Sequence, residues 1–198
     1  MNAPKLPLAS LAAIALSTSL ALAQEVAEQP FKKDVPYVPT PEPIVELMLD
    51  MAGVGPKDVV YDLGSGDGRI VIAAARRGAR GVGIDIDPER VREANANAKK
   101  AGVTDKVKFI EGDLFDADID DATVVTMYLL TDVNLKLRPK LLSELKPGSR
   151  IVSQTFDMGD WEPEKTQEIG FTKVYYWTVP SKPLASAKPD ASPSPSKQ

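Results

Sequence analysis

The stretch VVYDLGSGDGRIVIAAARRG (residues 59–78) passes from a strand pattern to a helix pattern through a glycine-rich turn. Residues 59–61 are β-branched or aromatic, which favours a strand, and residues 67–77 are typical of a helix that Gly78 ends. Glycines let the turn approach a ligand without a Cβ clash, and the free N–H groups of the helix start face the same point. The stretch therefore predicts either a ligand-binding loop or a tight strand–helix turn without a ligand.

Strand and helix patterns alternate along the rest of the chain. Strands are predicted over residues 59–61, 81–85, 106–110, 122–128, 150–156 and 171–179, and helices over 41–52, 67–77, 87–101 and a leucine-rich region up to 145. This alternation predicts an α/β fold, a single Rossmann-like, doubly wound domain whose mostly parallel sheet carries helices on both faces. Its ligand site is expected outside the carboxyl ends of the strands, where the strand order reverses.

Single residues predict how several of these elements begin, break or pack. Thr40 is expected to cap the first helix with Pro41 at its first position. Pro139 predicts a kink or a fresh start in the leucine-rich helix. Trp161 is expected either to form a lid or to pack. The predicted core residues of the leucine-rich region are Leu135, Leu137, Leu141, Leu142 and Leu145.

The N-terminus has the three parts of a secretory signal. Lys5 supplies a positive charge, residues 8–22 are almost wholly apolar or small, and Ala21-Leu22-Ala23 is a small-x-small cleavage pattern. The apolar run is shorter than the ~20 residues of a membrane span. We therefore expect residues 1–23 to be a signal peptide, and the protein to be exported, periplasmic or secreted, and membrane-tethered only if it stays uncleaved.

The remaining segments are separated by composition. The chain has 198 residues, which suits one domain with extensions, and all 13 glycines lie between Gly53 and Gly170. We expect a linker over residues 24–35, the domain over 36–180, and a disordered tail rich in Pro, Ser, Ala and Lys over 181–198.

Composition removes several classes of chemistry. The chain has no cysteine and no histidine, which excludes disulfides, thiolate metal sites, Ser-His-Asp triads and most zinc or copper sites. With 24 basic and 28 acidic residues, its net charge is −4, so we expect no nucleic-acid partner. Catalysis must come from carboxylates, tyrosine, backbone dipoles or a bound cofactor.

Three acidic residues follow three consecutive predicted strands. Asp85 comes 23 residues after Asp62, at the position where a carboxylate accepts both hydroxyls of a ribose. Asp113, with Leu114 beside it, is placed to meet the edge and face of an adenine. A solvated surface does not readily explain this repetition, so a nucleoside site is predicted.

Glycine spacing separates two kinds of nucleoside cofactor. A dinucleotide fingerprint places its third glycine at position 69, which is arginine here, whereas this chain has Gly68. This spacing disfavours an NAD-dependent oxidoreductase. That enzyme and an exported, non-catalytic nucleoside-binding module remain the alternatives.

From about Thr40 to Phe156 the sequence resembles the class I S-adenosylmethionine-dependent methyltransferases. The resemblance implies that Asp62 hydrogen-bonds at the amino end of S-adenosyl-L-methionine. It also implies that Asp85 binds the ribose hydroxyls, and that Asp113 with Leu114 holds the adenine. The residues of the implied methionine-side loop are Gly64, Ser65, Gly66, Asp67 and Gly68.

A narrower resemblance rests on VPYVPTP (residues 35–41), on DLGSGDGRI (residues 62–70) and on Val152-Ser153. These are similar to the protein-lysine methyltransferase family that includes the mitochondrial ATP-synthase c-subunit enzyme and, more distantly, to the non-SET histone lysine methyltransferases. The resemblance implies a protein lysine as substrate and a cofactor pocket that includes Tyr37 and Thr40. An extended lead-in to a helix cap explains the same residues.

Tyr128 is the candidate catalytic residue, because its position at the end of the fourth predicted strand lets it orient a substrate amine. Its alternative role is to seal the edge of the sheet. The run MYLL (residues 127–130) lacks the Asn-Pro-Pro-Tyr pattern of DNA adenine and glutamine methyltransferases. A solvated acidic loop, whose negative field attracts a cationic lysine, is predicted at Asp116, Asp118, Asp120 and Asp121. The sequence does not indicate an oligomeric state.

Overall fold

One sheet of seven strands runs through the computed structural model, which describes residues 37–181. The strands are β1 (Val59–Leu63), β2 (Arg80–Asp85), β3 (Val107–Glu111), β4 (Val124–Met127), β5 (Arg150–Gln154), β6 (Lys165–Ile169) and β7 (Thr172–Thr178). The helices are α1 (Glu42–Met51), α2 (Arg69–Arg76), α3 (Pro88–Ala101) and α4 (Thr131–Glu144). The predicted signal peptide, the predicted linker and the tail beyond residue 181 lie outside the described residues. Within 37–181, no helix has the length and apolar character needed to cross a membrane.

The order of the strands places the ligand crevice. Across the sheet they run β3-β2-β1-β4-β5-β7-β6. Strands β1 to β5 pair in parallel, whereas β7 pairs antiparallel with β5 and with β6. Chain order proceeds one way from β1 to β3 and the other way from β4, so it reverses between β1 and β4. The predicted doubly wound, mostly parallel α/β sheet is confirmed, and its crevice lies at the carboxyl ends of β1 and β4.

Helices cover both faces because the side chains of a strand alternate between them. In β1, Leu63 shares an apolar cluster with Leu137 of α4, whereas Val60 shares one with Met48 of α1. Helices α2 and α3 contact each other and lie on the side of α1. Strand β1 is therefore buried along its whole length, as expected of the strand that carries the glycine turn.

Strand β6 is absent from the predicted elements. Its sequence KTQEI has no apolar alternation, and all five residues are exposed. It forms by pairing with β7 at the edge of the sheet, where no core contact selects apolar residues. Periodicity alone therefore gives no signal for it.

Helix α4 decides one alternative and corrects one expectation. Of the kink or fresh start predicted at Pro139, the fresh start is wrong, because one helix runs from Thr131 to Glu144 through this residue. Leu135, one turn earlier, is 39% exposed, so it is not a core residue, and water can reach the carbonyl that the proline leaves without an N–H partner. The other predicted core leucines do pack in the apolar interior: Leu137, Leu141, Leu142 and Leu145.

Trp161 packs and does not form a lid. Its side chain is buried, and its ring lies 6.0 Å from that of Trp177. The indole N–H of Trp177 donates a 2.7 Å hydrogen bond to the carbonyl oxygen of Trp161. The loop after β5 is thereby fastened to β7.

Candidate active site

The glycine turn between β1 and α2 has the backbone that only glycine adopts readily. Gly64, Gly66 and Gly68 have φ values of +83°, +51° and +79°. A Cβ on Gly66 would lie 2.4 Å from the ring of Tyr37, and one on Gly68 would lie 2.6 Å from the ring of Phe109. Both the turn and its close neighbours therefore require glycine.

Asp85, at the end of β2, holds this turn in place. Its Oδ2 accepts a 2.7 Å hydrogen bond from the Gly66 N–H, and its Oδ1 accepts a 2.9 Å bond from the Asp87 N–H. Each carboxylate oxygen retains a further lone pair. The half-buried carboxylate is thus fixed at the crevice with acceptor capacity to spare.

Asp62, at the carboxyl half of β1, is 3% exposed. Thr126 of β4 donates a 2.7 Å hydrogen bond from its hydroxyl to Asp62 Oδ1. Burial above all, together with the negative charges of Asp85 and Asp67, raises the pKa of Asp62 to about 7, and the Thr126 bond offsets this only in part. A cation bound beside this buried carboxyl would favour its charged form.

Asp113 and Leu114 follow β3 at the outer side of β2. The backbone carbonyl of Asp85 accepts a 3.0 Å bond from Gly112, so the tips of β2 and β3 adjoin. Asp113 Oδ1 accepts a 2.9 Å bond from the Phe115 N–H, and Leu114 packs half-buried at the edge of the core. The structure therefore places the three predicted acidic residues along one edge, at the ends of three neighbouring strands.

Asp67 pairs with Arg69, a contact that the sequence analysis missed. Arg69 Nε lies 2.9 Å from Asp67 Oδ1, and Arg69 Nη2 lies 2.6 Å from Asp67 Oδ2. Although burial opposes ionisation of Asp67, the hydrogen bonds and charge of Arg69 outweigh it and lower the pKa of the carboxyl. Arg69 Nη1 also donates a 2.7 Å bond to the Thr40 carbonyl. In the sequence, Arg69 stands out only as a departure from the dinucleotide fingerprint.

Tyr37 lies over the glycine turn. Its ring contacts Gly66, and the Arg90 guanidinium lies 4.9 Å from the ring centroid. Burial and the charge of Asp67, to which the Tyr37 hydroxyl is hydrogen-bonded, raise the pKa of Tyr37. The predicted pocket residue Tyr37 thus lies next to the glycine turn.

Thr40 does not cap α1 as predicted, because the cap position is Pro41 and no side chain caps this helix. The Thr40 hydroxyl instead donates a 2.7 Å hydrogen bond to Gln154 Oε1, at the end of β5. A long-range contact of this kind competes with local capping and leaves no mark in the sequence. It joins the segment before α1 to the carboxyl edge of the sheet.

Tyr128 follows the last residue of β4 and is half-buried on the other side of the crevice. Its ring stacks with Phe156, which follows β5, at a centroid distance of 6.2 Å and an interplanar angle of 24°. Phe156 was predicted as the end of a strand and not as a site residue. The position of its ring depends on a turn after Gln154 that strand patterns do not predict.

The arrangement fits a nucleoside with a charged amino-acid end. Asp62 offers a buried carboxyl to an ammonium group, and Asp85 offers two oriented oxygens to neighbouring hydroxyls. Ser65 Oγ is buried and has no hydrogen-bond partner within the described part of the chain, which leaves a further polar atom at the turn. These carboxylates and amides match the donors and acceptors of S-adenosylmethionine.

Comparison with known proteins identifies the family. The family model for the ANTKMT methyltransferase domain matches residues 62–165. A protein-lysine N-methyltransferase of Saccharolobus islandicus (strain REY15A) is 52% identical over 137 residues, which are 68% of this chain and 85% of the relative. The adenine nucleotide translocase lysine N-methyltransferase of Mus musculus is 35% identical over 151 residues, 76% of this chain and 66% of the mouse protein.

A solved structure agrees with this relationship. The RNA methyltransferase from Salinibacter ruber in complex with S-adenosyl-L-homocysteine has a TM-score of 0.74 and 58% sequence identity, and it covers 75% of this chain and 98% of its own. The predicted cofactor, S-adenosylmethionine, is confirmed, and the oxidoreductase and the non-catalytic module are not favoured. The chain belongs to the ANTKMT methyltransferase domain family and is a class I, S-adenosylmethionine-dependent methyltransferase.

Proposed function

We propose that this enzyme methylates the side-chain nitrogen of a lysine in a protein substrate. The observation that carries the proposal is the crevice itself, with acidic groups at the tips of β1 and β2 and the aromatic Tyr128 at the tip of β4. The archaeal relative, 52% identical, is a protein-lysine N-methyltransferase by name. Once the lysine ammonium has lost a proton, the neutral amine reacts without a strong base from the enzyme.

Each predicted cofactor residue has a role in this proposal. Asp62 holds the ammonium of the amino-acid end, Asp85 holds the ribose hydroxyls, and Asp113 with Leu114 holds the adenine. The segment with Tyr37 and Thr40 covers the turn. The backbone and side chains of the turn itself complete the set: Gly64, Ser65, Gly66, Asp67 and Gly68.

The chain contributes alignment and water exclusion. S-adenosylmethionine supplies an electrophilic methyl group on a positively charged sulfur. Well-oriented reactants gain about 7–11 kcal/mol from proximity alone, so the lack of histidine and cysteine is compatible with catalysis. An acceptor ammonium beside Tyr128 gives its proton to water as the low-dielectric crevice lowers its pKa.

RNA is the second candidate substrate, because the Salinibacter ruber structure is that of an RNA methyltransferase. Charge favours protein lysine. The loop after β3 exposes Asp116, Asp118, Asp120 and Asp121, and the whole chain has a net charge of −4. Such a surface attracts a cationic lysine and repels a phosphate backbone.

A labelling experiment decides between the two. Purified enzyme is incubated with methyl-labelled S-adenosylmethionine and a cell extract, and the extract is treated with protease or with ribonuclease. The expected label is protease-sensitive, resistant to ribonuclease and recovered as methyl-lysine after hydrolysis. Label that ribonuclease removes would overturn the proposal. Asp85→Ala is the inactive control.

We also propose that the chain is exported, on the signal pattern of residues 1–23. Intact-mass measurement of the protein from its native cells is expected to give a chain that begins at residue 24. A full-length chain in the cytosol would contradict export without affecting the methyltransferase assignment.

A further inference from the structure

The rings of Tyr128 and Phe156 form one aromatic surface at the crevice. Tyr128 and Phe156 follow the neighbouring parallel strands β4 and β5, so both rings lie at the carboxyl edge of the sheet. They stack at 6.2 Å, and each is only half-buried. We call this pair the aromatic wall. It stands on the side of the crevice away from the tips of β2 and β3.

A strained turn places Phe156 in this wall. Thr155 has φ of +67°, the one non-glycine residue within 37–181 with positive φ. The N–H of Phe156 donates a 2.8 Å bond to the carbonyl of Gln154, which closes a three-residue turn around Thr155. A β-branched residue in this conformation is a genuine outlier, and turns of this kind are rare and strained. Strain of this sort persists only where neighbouring contacts impose it.

The Thr155 N–H donates a 2.7 Å bond to the Lys173 carbonyl of β7, and two buried polar side chains supply the other contacts. Ser153 Oγ donates a 2.6 Å bond to the Phe156 carbonyl. Asn134 Nδ2 lies 3.1 Å from the Phe156 carbonyl and 3.1 Å from the Asp157 carbonyl, both of which are acceptors. Asn134 and Ser153 are fully buried. Because the backbone rather than the ring is what they hold, the network fixes the direction in which the ring leaves the chain.

We propose that Phe156, with Tyr128, binds the acceptor amine and sets the affinity for the lysine substrate. This inference rests on the proposed function. An aromatic face attracts an ammonium through its quadrupole and also contacts the apolar stem of the side chain. It therefore binds the incoming lysine through both its charged end and its apolar stem.

The transfer balances with the groups named. The lysine ammonium first loses one proton to water. The nitrogen lone pair then forms a bond to the methyl carbon while the carbon–sulfur bond breaks, and its electron pair stays on sulfur. The product amine carries the positive charge that sulfur loses, and the aromatic wall receives this methylated cation as it forms.

The test compares Phe156→Leu with Phe171→Leu. Phe171, in the β6–β7 turn, is fully exposed, so the same chemical change is made away from the crevice. For Phe156→Leu we expect KM for a lysine peptide to rise about tenfold, with the Kd for S-adenosylhomocysteine within twofold of wild type. The conservative variant Phe156→Tyr should have the KM of the wild type, and Phe171→Leu should leave both constants unchanged.

The outcomes separate the inference from the function on which it rests. Wild-type enzyme that labels no lysine contradicts the proposed function. Wild-type enzyme that labels lysine, with an unchanged KM in Phe156→Leu, overturns the aromatic wall alone. If Phe156→Leu loses S-adenosylhomocysteine binding through misfolding, Phe156→Met keeps the apolar volume, removes the ring and is measured in its place. If KM rises as much in Phe156→Tyr as in Phe156→Leu, the inference is also contradicted.

Discussion

The Thr126 hydroxyl donates a 2.7 Å hydrogen bond to the carboxyl of Asp62, across the pair of strands β1 and β4. Both side chains are buried, and the pKa of Asp62 is about 7. The carboxyl therefore changes its charge near neutral pH at the point where the ammonium of the cofactor is proposed to bind. Binding of this proton is expected to raise the stability of the ligand-free protein and to lower its affinity for the ligand.

The stability of the ligand-free protein is expected to fall as pH rises from about 4 to 7. The folded pKa of about 7 exceeds the ordinary value of 3.8, so the folded state binds more protons than the unfolded state between these values. The loss of unfolding free energy approaches about 4 kcal/mol above pH 7, since a pKa shift of one unit corresponds to about 1.4 kcal/mol. Urea unfolding at several pH values measures it. Asp62→Asn should remove this part of the slope, and a slope that survives the substitution would contradict the assignment.

Affinity for S-adenosylhomocysteine is expected to rise with pH through the same range, because its ammonium binds the ionised carboxyl. Calorimetry should show a Kd that increases by up to about tenfold per unit as pH drops below 7. Thr126→Val removes the hydrogen bond that favours the charged form, so the transition should move to higher pH. A transition that stays in place would show that Asp62 is not the titrating group.

Asp85→Ala is expected to weaken S-adenosylhomocysteine binding by roughly 100-fold. The substitution removes the proposed ribose acceptor and leaves the N–H groups of Gly66 and Asp87 without their carboxylate, and hydrogen bonds to charged groups contribute about 1.5–3 kcal/mol each. Asp105→Ala, at an exposed carboxylate between α3 and β3, is the matched control and should bind normally. Normal binding by Asp85→Ala would remove Asp85 from the site.

Gly68→Ala is expected to destabilise the fold by roughly 2–5 kcal/mol. Gly68 and Gly102 have φ of +79° and +70°, so alanine at either position carries the left-handed strain of about 1–2 kcal/mol. At Gly102 a Cβ meets nothing within 4 Å, whereas at Gly68 it lies 2.6 Å from the Phe109 ring, which adds about 1–3 kcal/mol of overpacking. Denaturant unfolding of both variants separates the two effects. Equal losses would mean that Phe109 moves aside freely.

The sequence was sufficient where local chemistry and global position agree. The glycine turn needs positive φ at fixed positions. Asp62 and Asp85 lie in the carboxyl halves of two strands that pair in parallel, so their approach follows from the sheet alone. Thr40 was misread because its partner, Gln154, lies on another element, and the bond from Arg69 to the Thr40 carbonyl was missed for the same reason. The exposed strand β6 and the turn at Thr155 depend on pairing with β7, which no local pattern records.

Arg69 is expected to fasten the segment with Tyr37 and Thr40 to the glycine turn. Its guanidinium binds Asp67 through two nitrogens and donates to the Thr40 carbonyl from the third. Lysine keeps the charge but cannot make these bonds together. Arg69→Lys should therefore raise the Kd for S-adenosylhomocysteine about fivefold to twentyfold, since two lost bonds of this type contribute about 1–2 kcal/mol.

The matched control is Arg76→Lys, at the exposed end of the same helix, where neither affinity nor stability should change. Calorimetry gives the Kd, and urea unfolding reports whether Arg69→Lys acts through stability instead. If Arg69→Lys loses stability but binds S-adenosylhomocysteine as wild type does, the pair with Asp67 supports the fold alone. In that case the bond from Arg69 to the Thr40 carbonyl is not needed for S-adenosylhomocysteine binding.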